Sequence, residues 1–340
     1  SLMLAECGAE VIKVERPGQG DEMRRREPRL GSDSARFALL NRGKRSVALD
    51  LKLPSARTQL EPLLRSADVL IEQFRPGVMD RLGLGYASLR EINPAMIYCS
   101  ITGYGQHGDK AQVPGHDLNY LAEAGLLSLS TDGEGKPCIP AVPLGDVAGG
   151  SHVAVLNIVL ALRQRERTGE GCHLDIAMAR NLFAFMDGAW ARGVASGDWS
   201  MPGSEWTGGS PRYRCYRTRD YRYLAVAALE PRFWRNFCAV LEISPEEATS
   251  SAIEIAIAQR SAAEWEEIFA GREACVSLVR SVEEAACEAI GDGSSLPRMH
   301  GSDGTSIPAL PLPLAESLRT RRDAGYPALG ADNALLQVAP

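Results

Sequence analysis

Short apolar runs alternate with helical stretches through the first hundred residues, and this alternation narrows the possible folds more than any other feature of the chain. Residues 10–15, 46–49, 69–72 and 96–101 read as strands, with residues 54–66 as an intervening helix. Strands joined by helical crossovers pair in parallel and need cover on both faces, so the expected class is α/β with a Rossmann-like parallel sheet. Pro54 suits the first turn of its helix, whereas Pro62 should kink or break it. The opening Ser-Leu-Met-Leu-Ala-Glu-Cys-Gly reads as a helix end stopped by Gly8. No Gly-x-Gly-x-x-Gly follows any of these strands, which argues against a dinucleotide site of the usual kind.

The stretch from residue 113 to 150 carries the candidate chemistry. It opens with Gly-His-Asp-Leu-Asn-Tyr at 115–120 and closes with Pro-Leu-Gly-Asp-Val-Ala-Gly-Gly at 143–150. Val153, Ala154, Val155, Leu156, Ile158, Val159, Leu160, Ala161 and Leu162 follow, apolar on nearly every face, which predicts a buried helix. Asp146 then stands at or just before a helix N-terminus, where free N–H groups and the helix dipole favour an anion or a developing oxyanion. His116, on a polar segment bounded by Gly and Pro, supplies a group that titrates near neutrality. A histidine and an aspartate on separate, convergent segments suit acid–base chemistry. The plain alternative is an N-cap aspartate and a hydrogen-bonded loop histidine.

Further along, a Gly-rich turn and strand at 167–175 lead into a helix over about 177–194, with Phe183, Phe185, Met186 and Trp190 as packing residues. The segment 197–211, with Gly203, Ser204, Gly208, Gly209 and Ser210, is the clearest change of composition and the expected linker. Strands at 213–216, 223–227 and 275–279 and helices at 231–241 and 262–269 imply a smaller α+β domain. Residues 291–313 read as a long loop returning to the first domain. The expected division is 1–195, linker 196–211, 212–300 and a C-terminal return over 301–340.

A net charge of −6 in 340 residues gives no basic field for nucleic acid or anionic lipid, so a polyanionic ligand must be held by local Arg and Lys. Such clusters exist at Arg42, Lys44 and Arg45 and at Arg75, although any one of them suits a solvated turn. The eight cysteines are scattered, without a C-x-x-C pair, which indicates neither a zinc site nor a disulfide framework and fits a cytoplasmic location. No apolar run approaches the ~20 residues of a membrane span, and no signal peptide opens the chain, so no membrane partner is expected.

Gly-His-Asp-Leu-Asn-Tyr, Gly-Asp-x-x-Gly-Gly and Leu-Glu-Pro-Arg-Phe at 229–233 together resemble the racemase branch of the class III CoA-transferases. The similarity extends over almost the whole chain. It implies an α/β large domain, a smaller α+β domain, an interlocked homodimer and about two dozen further residues, one strand and turn, ahead of Ser1. It assigns His116 and Asp146 as the two acid–base groups of a racemase acting on 2-methylacyl-CoA thioesters in lipid metabolism, Glu230 as support for His116, and Asp117 and Tyr120 to the same pocket. Arg16, Arg42 and Arg75, with Gly145 and Gly149, fall to the acyl-CoA site. Coenzyme A enters as part of the substrate, and no other cofactor is required. Two other readings follow from the same motifs: a CoA-transferase with Asp146 as nucleophile, and an inactive CoA-binding protein. Val142 replaces an Asn of the relatives near the acyl-CoA site. Met178 and Met186 could line an acyl groove, though Met on a helix more often packs in a core.

Overall fold

A computed structural model describes residues 1–30, 33–132, 134–199, 205–291, 298–300, 304, 306–320 and 324–336. The chain forms two units. The first comprises Ser1–Leu121, Val142–Phe183 and Ser294–Pro340, the second Ala122–Ala141 and Ala184–Gly293. Residues 122–141, which the sequence reading kept with the large domain, thus group with the second unit.

The first unit opens with α1 (Leu2–Glu6), β1 (Ile12–Glu15), the short strands β2 (Arg29–Leu30) and β3 (Asp33–Ser34), α2 (Ala35–Asn41) and β4 (Arg45–Ala48). Next come α3 (Ala56–Ser66), β5 (Val69–Glu72), α4 (Val78–Arg81), α5 (Tyr86–Ile92) and β6 (Ile97–Thr102). After α6 (Asp117–Ala124), a π-helical segment Gly145–His152 runs straight into α7 (Val153–Thr168), and β7 (Cys172–Ala177) follows. β1 and β4 pair in parallel, and β5, β6 and β7 form a second parallel sheet with β6 at its centre. Five of the six positions of β6 are buried, Ile97 to Ser100 in an unbroken run and then Thr102, the pattern of a central strand covered on both faces. Cys99 packs under Ala154 and Ile158 of α7, while Tyr98 joins Met79, Leu84 and Leu89 on the opposite side.

Three local expectations change. α3 begins at Ala56, after Ser55, and continues through Pro62; Ala56, Leu60 and Leu64 share its buried face, and that packing outweighs the lost backbone bond. α7 buries only one stripe, Ala154, Ile158 and Ala161, whereas Leu156, Val159 and Leu160 are 58%, 52% and 57% exposed. The continuous helical run Gly145–Thr168 also contains an 18-residue window of mean hydropathy 1.4, long and apolar enough to cross a membrane, which the sequence reading did not foresee. Its place against β6 and β7 is that of a sheet-covering helix, with one apolar face left open in the single chain.

The helix expected over 177–194 is broken. α8 (Met178–Asn181) tightens into a 3-10 turn at Leu182–Phe185, and α9 (Asp187–Ser196) starts afresh, the division between units falling after Phe183. Phe183 and Phe185, two positions apart, cannot share one helical face; both are exposed, as is Trp190, and only Met186 is buried.

The second unit carries a three-stranded antiparallel sheet in the order β10-β9-β8, from β8 (Tyr213–Arg217), β9 (Tyr223–Ala227) and β10 (Val276–Leu278). α10 (Pro231–Leu241), α11 (Ser250–Ile257) and α12 (Ala262–Phe269) pack on it, and α13 (Val282–Gly291) follows. Trp234, Phe237, Cys238 and Leu241 lie at helical spacing on the buried face of α10 and meet Trp265, Phe269, Ile253 and Ile257 in one core. Gly203 and Ser204 of the expected linker, and residues 292–297, 301–303 and 305 of the expected loop, lie outside the described residues. Within that loop a hairpin forms from β11 (Arg298–His300) and β12 (Ser306–Pro308), because Met299 finds a buried seat with Ala38 and Ala309 in the first unit.

Candidate functional site

His116 occupies the residue before α6. Its carbonyl accepts the Asn119 and Tyr120 N–H groups at 2.8 and 3.3 Å, while its own N–H donates to Asn119 Oδ1 at 3.0 Å. The backbone is therefore tied at the helix start, and the imidazole is exposed. Asp146 lies in the first turn of the π-helical segment rather than at its cap, which is Leu144. The two starts are joined by a single bond: Asp146 N–H donates to Asp117 Oδ1 at 2.9 Å. That N–H, expected to hold an enolate oxygen, is thus already taken, and the Asp117 carboxylate would have to turn aside before a ligand oxygen could replace it.

The electrostatics tie the same groups together. The Asp146 carboxyl is raised above its ordinary value by partial removal from water and by the Asp117 charge, while His116 and Arg36 pull it down. Asp146 is exposed, so the solvent screens these effects and the shift serves only as a direction. A carboxylate raised in this way is a better proton acceptor. The Tyr120 hydroxyl is pushed up by burial and by Asp146 and Asp117, with Arg75 opposing. Tyr120 is buried, donates to the Gly115 carbonyl at 2.5 Å and meets Tyr104 edge to face at 5.3 Å. It therefore fixes Gly115, the residue before His116.

Gly145 and Gly149 are both buried. A Cβ on Gly149 would stand 2.7 Å from the Met178 carbonyl, and Asn181 Nδ2 already donates to the Gly149 carbonyl at 2.7 Å. The π-helical segment can approach α8 this closely only without a side chain at Gly149, while a Cβ on Gly145 would stand 3.0 Å from Asp117 Oδ1 of α6.

The three arginines assigned to CoA differ. Arg75 follows β5 on an exposed turn, and among the described residues no hydrogen bond or ion pair engages its guanidinium. Arg16 is exposed and bonds the Gly20 carbonyl at 3.2 Å and Glu22 at 3.3 Å, contacts weak enough to exchange for a ligand. Arg42 is 2% exposed; Nε donates to Glu6 Oε1 at 2.6 Å, and its terminal nitrogens to the Leu39 and Leu310 carbonyls at 2.9 and 2.8 Å. Arg42 therefore holds α1 and the C-terminal return together, and its donors are not offered to a phosphate. In the second unit, Glu230 precedes α10; its carboxylate makes no cap hydrogen bond and is exposed. Val142 is 57% exposed, so an apolar surface stands where the relatives' Asn was expected. Arg36, an exposed cation in the first turn of α2 that acts on Asp146, belonged to no sequence motif and was missed. Among the described residues no cluster of His, Cys, Asp and Glu suits a metal ion.

A parallel α/β unit thus brings a histidine and an aspartate to two tied helix starts, with Arg16 and Arg75 exposed after β1 and β5. The family model of CoA-transferase family III matches residues 1–333, and the chain belongs to that family. It is 38% identical to the α-methylacyl-CoA racemase of Mus musculus over 298 residues, covering 84% of this chain and 74% of that protein. It is 33% identical to the acetyl-CoA:oxalate CoA-transferase of Acetobacter aceti over 305 residues, 84% of this chain and 77% of that one. The crystal structure of a CAIB/BAIF family protein from Brucella suis superposes with a TM-score of 0.82 at 26% identity, over 98% of this chain and 92% of that one. The α/β fold with a parallel sheet is thereby established, and family members are enzymes.

Proposed function

We propose that this protein inverts the α-carbon of 2-methylacyl-CoA thioesters by 1,1-proton transfer through an enolate, with His116 and Asp146 as the two acid–base groups. The observation that carries the reading is the Asp117 bridge, which ties the two helix starts so that an imidazole and a raised carboxyl act on one another. A proton α to a thioester is weakly acidic, and inversion needs one group to remove it and a second, in the opposite protonation state, to return a proton to the other face. The reaction so written needs no cofactor beyond the CoA carried by the substrate. The transferase reading draws support from the Acetobacter aceti relative and from the exposure of Asp146, which suits a nucleophile.

One incubation separates the two. A single enantiomer of a 2-methylacyl-CoA in deuterated water is expected to lose optical purity while gaining deuterium at the α-carbon, with or without an acceptor acid. Transfer of CoA to an added acid, without α-deuteration, would replace the racemase by the transferase; CoA binding with neither reaction would leave a binding protein.

Arg75 is proposed as a CoA contact, supported by its exposed, unengaged guanidinium. Arg75→Ala is expected to cost at least ~1 kcal/mol of CoA binding, about fivefold in Kd, as suits loss of a charge-assisted contact. Equal calorimetric affinities would remove Arg75 from the site.

A homodimer is proposed as well, with Glu230 of one chain serving His116 of the other. The open apolar face of α7 at Leu156, Val159 and Leu160 supports it, since such a stripe gains by being covered. Light scattering is expected to give twice the mass of one chain. Refolding a mixture of His116→Ala and Glu230→Ala chains is expected to restore activity, because each heterodimer then holds one intact composite site; an inactive mixture would defeat that sharing.

A further inference from the structure

The face of the β5-β6-β7 sheet turned away from α7 is not a plain apolar surface. Glu72 lies opposite Ser100 on β6, and His173 opposite Tyr98. Strand alternation puts Glu72, Tyr98, Ser100 and His173 on one side, where they line an open pocket of about 240 Å³ with Arg75 at its edge. Ser100 Oγ stands 2.9 Å from His173 Nε2, the donor of that bond following the His173 tautomer, and Ser100 holds the Glu72 carboxyl down against the burial that raises it. The His173 ring is held by Tyr86, stacked at 5.0 Å, and by the edge of Tyr98 at 5.2 Å.

The Glu72 carboxyl reaches into the turn that bears Arg75. Glu72 Oε2 accepts the Phe74 N–H at 2.8 Å. Beyond Arg75 the turn is closed by Val78 N–H on the Arg75 carbonyl at 3.1 Å and by Gln112 Nε2 on the Pro76 carbonyl at 3.1 Å. The Arg75 backbone is therefore clamped on both sides while its guanidinium stays unengaged. We propose that Glu72, with Ser100 and His173 behind it, is a positioning residue that aims Arg75 at the CoA moiety, an inference that rests on the reading of Arg75 as a CoA contact.

The role differs from that of an ordinary buried carboxylate because it is charged and open to titration. Burial raises Glu72 above the usual 4.5, with Asp80 adding to the rise and Ser100 and the Phe74 N–H opposing it. The other titratable or charged groups around it are Arg75 on its own turn, Tyr98 on β6, Tyr86 on α5, His173 on β7 and His107 beyond β6. The ionised form makes the stronger bond to Phe74 N–H. The contribution of Glu72 to CoA affinity is thus present above its raised pKa and is lost as pH falls through it.

The test is calorimetric titration of CoA into the wild type, Arg75→Ala, Glu72→Gln, Ser100→Ala and the Glu72→Gln/Arg75→Ala double variant, each from pH 5 to 8. Glu72→Gln keeps the shape but not the charge, and is expected to weaken binding about fivefold at pH 8 and to flatten the acid limb of the pH profile. Ser100→Ala, the milder change should Glu72→Gln fold poorly, is expected to weaken binding about twofold. In the Arg75→Ala background the Glu72 substitution is expected to have no further effect. An unchanged affinity in both Glu72→Gln and Ser100→Ala, with Arg75→Ala weakened, overturns the positioning role and leaves the CoA reading intact. A Glu72→Gln loss that persists in full without Arg75 also overturns it, and an Arg75→Ala protein that binds like wild type removes the reading on which it rests.

Discussion

Replacing either His116 or Asp146 by alanine is expected to lower the rate of inversion by at least about 10²–10⁴-fold, the usual contribution of a positioned acid or base, while CoA binding survives. Both groups are exposed and neither supports a core, so folding is not expected to suffer. In each single variant the remaining base can still remove a proton from one enantiomer, so slow deuterium uptake without inversion is the expected residue of activity. Near-normal inversion in either variant would sink the two-base mechanism, and an aspartyl-CoA adduct trapped on Asp146 would convert the assignment to transfer. In the proposed mechanism the pair works with one proton between its two members, so kcat/KM should fall on the acid side as the pair gains a second proton. Asp146 is raised above the ordinary 3.8. The pair must lose one proton to become active, so the acid limb is expected above that value, with activity falling as pH drops through it.

The largest expected effect on stability comes from Arg42, whose role the structure changed. Arg42→Ala leaves the Glu6 carboxylate 4% exposed, with Oε2 already lacking a hydrogen-bond partner. Removing one member of a buried ion pair typically costs about 3–5 kcal/mol, against a total stability of roughly 5–15 kcal/mol. Urea unfolding should show the midpoint falling sharply. Glu6→Met combined with Arg42→Met should recover most of the loss, since apolar groups of similar size remove both buried charges. The double variant is also expected to bind CoA as the wild type does. A stable double variant that no longer binds CoA would return Arg42 to the ligand site.

Much of the candidate site was legible because its signals are local. The three motifs lie on contiguous stretches, although the helix that opens at Asp117, fixed by the bonds between Asn119 and His116, reads in the sequence as a polar loop segment. The parallel strands β1, β4, β5 and β6 follow from short apolar runs whose period needs no partner to be recognised, and structure and sequence place them within two residues of each other, whereas the short antiparallel pairs β2–β3 and β11–β12 were not foreseen. The helical breaks between 177 and 196 were not legible, because whether an aromatic residue is packed or exposed depends on what lies opposite it.

By itself, the sequence determined the α/β class, the places of the parallel strands β1, β4, β5 and β6 along the chain and the identity of the groups able to carry acid–base chemistry, since each depends on side-chain periodicity or type within a few residues. Only the tertiary structure decided what those groups are bonded to. Arg42 is withdrawn from any ligand by Glu6, 36 residues away, and by the Leu310 carbonyl, 268 away. The Asp146 N–H is claimed by Asp117 across 29 residues, and Ser100 meets His173 across 73. A hydrogen bond requires a heavy-atom distance near 3 Å and an aligned donor. For residues so far apart in the chain, that alignment exists only once the parallel strands have paired in register and the helices have packed upon them.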